Sequence, residues 1–303
     1  MLSIQTGRPA TLAPNGMVTS PHSLASAAGV DVLRAGGSAI DAAIAASAAL
    51  SVIYPHMTSV GGDAFWLIHD TTTKTVRYID GGGRATRSGT IEAFARRGLA
   101  EVPYRGPLPG TLTVPGAVAS WAEAHAAYGR LPLARCLESA IGYARDGFPV
   151  TARLAHWRET ARAELAKCPH ASAIFLKDGS ILTNPALART LEAIASDGWY
   201  GFYEGEVAQE LLRYSAANDG FFAADDLKAQ QARWGEPLKG TYRGVTIYET
   251  PAPTQGFAVL EMLNLLEPLD MAKRAFLGPD YVHLMVQAKQ LAYHDRDRFL
   301  GDP

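Results

Sequence analysis

The apolar positions of this chain follow two rhythms, and the helical one dominates. Residues 23–50 read as two helices separated by Gly36-Gly37, the second opened by Ser38 with Asp41 three residues on, in capping-box position. Its interior is nearly all alanine, as in a helix that a neighbour approaches closely. The stretch PGAVASWAEAHAAYG predicts a helix ending at Gly129. The next segment aligns Leu133, Cys136, Leu137, Ala140, Ile141 and Ala144 on one stripe, with Pro132 near its start and Gly147 at its end. Further helices are predicted over 151–166, 185–196, 204–217, 256–269 and 280–300. Strand rhythm is rarer. Residues 64–80 read as a hairpin turned at DTTTK, and TYRGVTIYET (241–250) alternates as a strand. Helices outnumber strands and do not alternate with them regularly, which predicts a mixed α+β fold rather than a doubly wound parallel sheet. Without repeats, linkers or a boundary signal, the expectation is one domain over 1–303.

Composition removes several function classes. With 28 Lys and Arg against 30 Asp and Glu, the formal net charge is -2, and no basic cluster marks a nucleic-acid or anionic-membrane surface. No apolar run reaches the roughly 20 residues of a spanning helix. The first residues lack a signal peptide's charged start and apolar core, so the expected location is cytoplasmic, or periplasmic if a leader was removed before residue 1. Two cysteines, Cys136 and Cys168, cannot form a disulfide framework. Cys136 lies on the apolar face of a helix, and Cys168 beside His170 is two ligands short of a metal site.

The local chemistry motifs are mostly negative. No G-x-G-x-x-G opens a helix, and no Lys-Ser/Thr follows a glycine pair. No G-x-S-x-G elbow is present. His294, Asp295 and Asp297 in YHDRDRF are too close in sequence to converge on a metal, and Arg296 and Arg298 compete for the carboxylates. No cofactor and no metal are therefore expected. One feature stands out. At the end of the predicted hairpin three glycines, Gly81 to Gly83, run directly into Arg84, with Arg87 close behind.

Several stretches in order, among them MVTSPHSLASAAGVDVLRAGGSAIDAAIAAS, GTLTVPGAVASWAEAHAAYGRLPL, AIGYARDGFPV, FYEGEVAQEL, GTYRGVTIY, MLNLLE and LAYHDRDRFLGDP, resemble the large subunit of the gamma-glutamyltranspeptidase family. That resemblance implies an N-terminal-nucleophile hydrolase with a four-layer αββα sandwich. It implies a precursor that cuts itself, so that a threonine begins a separate small subunit and serves as nucleophile with its own amine as base. The chain is then expected to be a large subunit stopping short of the cleavage site, partnered by the small subunit of the same precursor, in a dimer of such pairs, acting on a small-molecule amide.

Typical members carry a pattern like D-x-R-E-x-A-P at this hairpin end, whose arginine grips the substrate carboxylate. With Asp80 matched to the aspartate, that arginine falls on Gly82. Arg84 stands two residues on, about 7 Å along an extended segment and on the same side; Gly83 and Thr86 replace the glutamate and proline. Asp63 in SVGGDAF and the stretch PAPTQGF depart from the family pattern too. The implied substrate site is Arg84, with Arg87 in reserve and Gly82 and Gly83 leaving room for the ligand. The implied reaction is gamma-glutamyl transfer or hydrolysis; oxamate hydrolysis is the alternative, and a catalytically inactive binding or scaffold protein is the alternative of another class.

Overall fold

In the computed structural model, residues 10–102 and 112–301 are described. The opening nine residues, the first two of GTLTVPG and the last two of FLGDP lie outside them. Two helices, α1 (Ser23–Arg34) and α2 (Ala39–Ile53), pack closely because Gly29 and the alanines keep their surfaces small: a Cβ on Gly29 would stand 3.0 Å from Ala42 O. The capping box at the start of α2 is formed. Asp41 N donates to Ser38 Oγ at 3.0 Å and Ser38 N to Asp41 Oδ2 at 2.8 Å.

Strands β1 (Ala64–Asp70) and β2 (Thr75–Gly81) form the predicted hairpin, with Ala64 opposite Gly81. A short helix α3 (Ile91–Arg96) precedes α4 (Ala117–Tyr128) and α5 (Leu133–Asp146). The α5 stripe is the core face the sequence predicted: Cys136, Leu137, Ala140 and Ala144 are all buried. Strands β3 (Phe148–Pro149) and β4 (Ile181–Leu182) make a small ribbon around a helical excursion, α6 (Ala152–Thr160), α7 (Arg162–Leu165) and α8 (Pro169–Phe175). The single helix expected over 151–166 is broken at Ala161, which leaves helical geometry at φ -95°, ψ 6°. Helices α9 (Pro185–Asp197), α10 (Trp199–Tyr203), α11 (Glu206–Ala217) and α12 (Ala224–Lys228) follow.

Strand β5 (Arg233–Gly235) then pairs antiparallel with β2 and completes a three-stranded sheet of order β1-β2-β5. The stretch predicted as one strand over 241–250 instead spans the end of β6 (Leu238–Tyr242), a turn and β7 (Val245–Glu249) of a tight hairpin. The turn that splits it is Arg243-Gly244, both with positive φ (49° and 80°), the conformation that a two-residue hairpin loop demands. Helices α13 (Gly256–Leu266) and α14 (Pro279–Phe299) close the chain around a separate small core of Leu266, Met271 and Ala288. The main core runs from α1, α2, α4 and α5 to α9, α10 and Leu227. No helix among the described residues is long and apolar enough to cross a membrane.

Asp41 joins α2 to the loop before α5. Fully buried, its Oδ2 also accepts the N–H groups of Arg130 (2.9 Å) and Leu131 (3.2 Å). Burial alone would raise its carboxyl, but the N–H groups of Ser38, Arg130 and Leu131 and the Ser38 hydroxyl outweigh it and hold the group below its usual value. His125 and Cys136 lie beside it and complete the one carboxylate–imidazole–thiol cluster among the described residues. The arrangement is a structural one: His125 Nε2 is 2.7 Å from the Leu131 carbonyl oxygen, so that nitrogen carries the proton and has no lone pair to offer a metal. Burial, then the Asp41 charge, pushes the Cys136 thiol up to about 12. Asp41→Ala should cost about 3 kcal/mol in urea unfolding, because it strands several buried N–H donors. A depressed carboxyl stabilises the fold above its unfolded value and loses that contribution as pH falls through the folded one. The wild-type advantage over Asp41→Ala should therefore shrink below about pH 4; equal stability of the two proteins at pH 7 would refute this role.

Candidate functional site

The strip after β2 shows why three glycines precede Arg84. None of Gly81, Gly82 and Gly83 adopts a left-handed φ, so their purpose is space rather than backbone conformation. A Cβ on Gly81 would stand 2.4 Å from Ala64 O and 2.5 Å from the Ser120 Cβ on α4. A Cβ on Gly83 would stand 2.1 Å from Val114 O. From the other side, a Cβ on Gly116, the N-cap of α4, would stand 2.2 Å from Gly81 O. Three segments therefore meet backbone to backbone: 61–63, 81–84 and 113–117. The N–H groups of Gly116 and Ala117 both donate to the Gly62 carbonyl, at 3.0 and 2.9 Å.

The expectation that Gly82 and Gly83 leave room for a ligand therefore needs correcting at Gly83, whose side-chain space is filled by protein backbone. Only Gly82 has slack, since its nearest neighbours are the movable Asp80 Oδ1 at 3.0 Å and the Phe65 ring at 3.4 Å.

From Gly82 to Arg84 each N–H is committed to a side chain. Gly82 N donates to Asp80 Oδ1 (2.8 Å), Gly83 N to Asp63 Oδ1 (2.7 Å) and Arg84 N to Gln230 Oε1 (3.4 Å). The Arg84 carbonyl accepts from Val114 N at 2.9 Å. The strip thus has no free amides with which to cradle a phosphate, in keeping with the absence of a phosphate-loop motif. Downstream, Arg87 N donates to Asp226 Oδ1 at 3.2 Å and Ser88 Oγ to the Phe221 carbonyl at 2.8 Å, so residues 82–88 lie across α12 and its flanks.

The side chains present the opposite picture. Arg84 and Arg87 are both exposed, and neither guanidinium pairs with a carboxylate among the described residues. This contrasts with Arg97, which is bound to Asp219 at 2.9 Å, and with Arg296, bound to Asp297 at 2.6 Å in the helix end predicted to be charged. Asp63 sits beside the strip with its carboxyl raised. Partial enclosure is the main cause and the Asp80 charge adds to it, against the pull of the Gly83 N–H.

Buried Tyr203 braces α4 against this platform: its hydroxyl donates to the Pro115 carbonyl (2.6 Å) and accepts from Ala119 N (3.1 Å). Trp66 Nε1 on β1 donates to Ser120 Oγ at 3.0 Å. Gln230, Asp226 and Tyr203 have no local motif to announce them, because each acts across more than 80 positions of chain.

The gamma-glutamyltranspeptidase family model matches residues 25–303. The chain belongs to the gamma-glutamyltranspeptidase family. An oxamate amidohydrolase proenzyme of Klebsiella pneumoniae is 41% identical over 300 residues, covering 95% of this chain and 56% of that protein. A glutathione hydrolase-like proenzyme of Bacillus subtilis, YwrD, is 40% identical over 293 residues, covering 95% and 55%. Among solved structures, the gamma-glutamyltranspeptidase of Helicobacter pylori superposes with a TM-score of 0.90 at 30% identity, over 97% of this chain and 86% of that one. The cephalosporin acylase of Bacillus halodurans superposes at 0.87 with 34% identity, over 97% and 57%. The chain spans about half the length of the curated relatives it matches, in their large-subunit region. Its α+β fold is the large-subunit part of the N-terminal-nucleophile hydrolase sandwich.

The packing makes opposite demands on adjacent glycines. Gly83→Ala should destabilise the protein by about 2 kcal/mol through overpacking against backbone that cannot yield, while Gly82→Ala should cost less than about 1 kcal/mol. Urea unfolding followed by tryptophan fluorescence checks this, and equal costs at the two positions would contradict it.

Proposed function

We propose that this chain is the large-subunit part of a self-processing enzyme that cleaves an amide bond in a small carboxylate-bearing substrate, and that Arg84 supplies the carboxylate grip. The observation that carries the reading is the contrast at residues 82–84: a backbone fixed at every N–H, ending in an exposed arginine with no carboxylate partner among the described residues. A planar guanidinium on a rigid support suits bidentate carboxylate binding. Fixing the substrate's acid end would hold its amide carbonyl for attack by a threonine on the small subunit, activated by its own amine. This chain would contribute binding and orientation; nucleophile and oxyanion donors would come from the partner.

Two donors fit. Gamma-glutamyl compounds are supported by relatives named glutathione hydrolase. Oxamate is supported by the Klebsiella pneumoniae relative and by the place of the arginine. Its carboxylate adjoins the amide, so a grip moved two residues along the strip favours a short acid. A scaffold role for an inactive member would need the small-subunit threonine to be missing, which intact mass and N-terminal sequencing of the complete protein would reveal.

Arg84→Ala in the complete enzyme should lower kcat/KM for its carboxylate donor about 30-fold or more, and Arg84→Lys should recover only part of it, since a point charge cannot reproduce the fork. Self-cleavage should survive, giving the same two bands on denaturing electrophoresis. Oxamate should outperform gamma-glutamyl-p-nitroanilide with the native enzyme. If Arg84→Ala leaves both donors within about twofold, Arg84 is a surface residue and this reading fails.

A further inference from the structure

Gln230 is among the least exposed polar residues of the chain, at 1%, and nothing in the core of a hydrolase calls for a buried primary amide there. Its contacts are specific. Oε1 accepts the Arg84 N–H at 3.4 Å and Nε2 donates to the Gly82 carbonyl at 3.2 Å. The side chain therefore straddles Gly83, bonding to the residues on either side of it. Its own main chain is already occupied, with its N–H on the Leu227 carbonyl (3.1 Å) and its carbonyl accepting from Trp199 Nε1 (2.9 Å).

The sheet register explains this geometry. Strand β5 pairs with β2 as Tyr78↔Gly235, Ile79↔Trp234 and Asp80↔Arg233. Continued by three more residues, the same antiparallel register would set residue 83 opposite residue 230. The ladder stops at Asp80, and further back the Gln230 carbonyl accepts from Trp199 Nε1 rather than from the strip. The Gln230 amide, which offers one C=O and one N–H group in the manner of a peptide, takes the place of the missing strand neighbour. On the other edge, Asp63 holds the Gly83 N–H. The two side chains bracket the strip and fix where Arg84 leaves the backbone.

We propose that Gln230 is a positioning residue for substrate binding, a side-chain surrogate for strand pairing that holds Arg84 where its guanidinium meets a short acyl donor's carboxylate. This rests on the reading of Arg84 as the carboxylate grip. An arginine on an unpaired strip would have to order its backbone as well as its side chain on binding, which weakens affinity without changing the chemical step. Gln230 acts on binding through the strip that carries Arg84.

The test is a double-mutant cycle in the complete enzyme with oxamate and gamma-glutamyl-p-nitroanilide as donors. Gln230→Ala should raise KM for the better donor about tenfold while kcat changes less than about threefold; in the Arg84→Ala background the same change should alter kcat/KM less than about twofold. Gln230→Glu, which keeps the acceptor for Arg84 N and loses the donor to Gly82 O, should fall between wild type and Gln230→Ala, and it carries the test if Gln230→Ala does not fold. An equal effect of Gln230→Ala in both backgrounds would show a merely structural role and overturn the proposal. A strong loss with Arg84→Ala and none with Gln230→Ala would overturn it while leaving the carboxylate grip standing. No effect of Arg84→Ala would remove both. Failure of both Gln230 variants to fold would show that the amide holds the core rather than the site, and would overturn it too.

Discussion

The structure depends on one steric constraint, the contact of three backbones at Gly81, Gly83 and Gly116. A methyl group at any of them would come within 2.1 to 2.4 Å of a carbonyl oxygen. Because these contacts leave no side-chain volume to adjust, the end of β2, the loop before β1 and the start of α4 are fixed relative to one another. The hydrogen bonds follow from that closeness. Gly62 can cap α4 only because the helix start lies on the hairpin, and Asp63 can reach Gly83 only because the loop before β1 does too. The hydrophobic core behind the platform, with Trp121, Tyr203 and Leu227 fully buried, supplies the stability. The glycine contacts decide where the exposed surface in front of it lies.

That rigidity gives the arginine its meaning. A long, flexible side chain on a mobile loop gives up much of its binding energy to ordering, whereas the same side chain on a strip tied at every amide loses only its own rotamers. The N–H groups of residues 82–84 are consumed in holding the strip still, so on the proposed reading recognition would fall to the guanidinium. Asp63, held by Gly83 N beside the strip, has a carboxyl raised chiefly by its enclosure; on the proposed reading it would stand close to the substrate's own carboxylate.

Much of the fold was legible because its signals are local. The capping box at Ser38 and Asp41, the stripe of α5 and the β1–β2 hairpin (Ala64–Gly81) are each local in sequence and appear as the pattern predicts. The errors came where a short local feature overrode the period. Arg243-Gly244 folds one expected strand into a hairpin, and Ala161 breaks one expected helix. The Gly81–Arg84 strip was recognisable as unusual, but the reason for it was not, since Val114, Ser120 and Gln230 reach it from 30 to 150 positions away. The sequence suggested space for a ligand; at Gly83 the space is taken by the protein itself.

The most direct measurement is a crystal structure of the complete enzyme with an unreactive short diacid such as oxalate. One carboxylate should be held by both arms of the Arg84 guanidinium at about 2.8 Å, with the Gly83–Asp63 and Arg84–Gln230 bonds intact and the strip unmoved. A diacid seated on a different cation, with Arg84 in solvent, would contradict it.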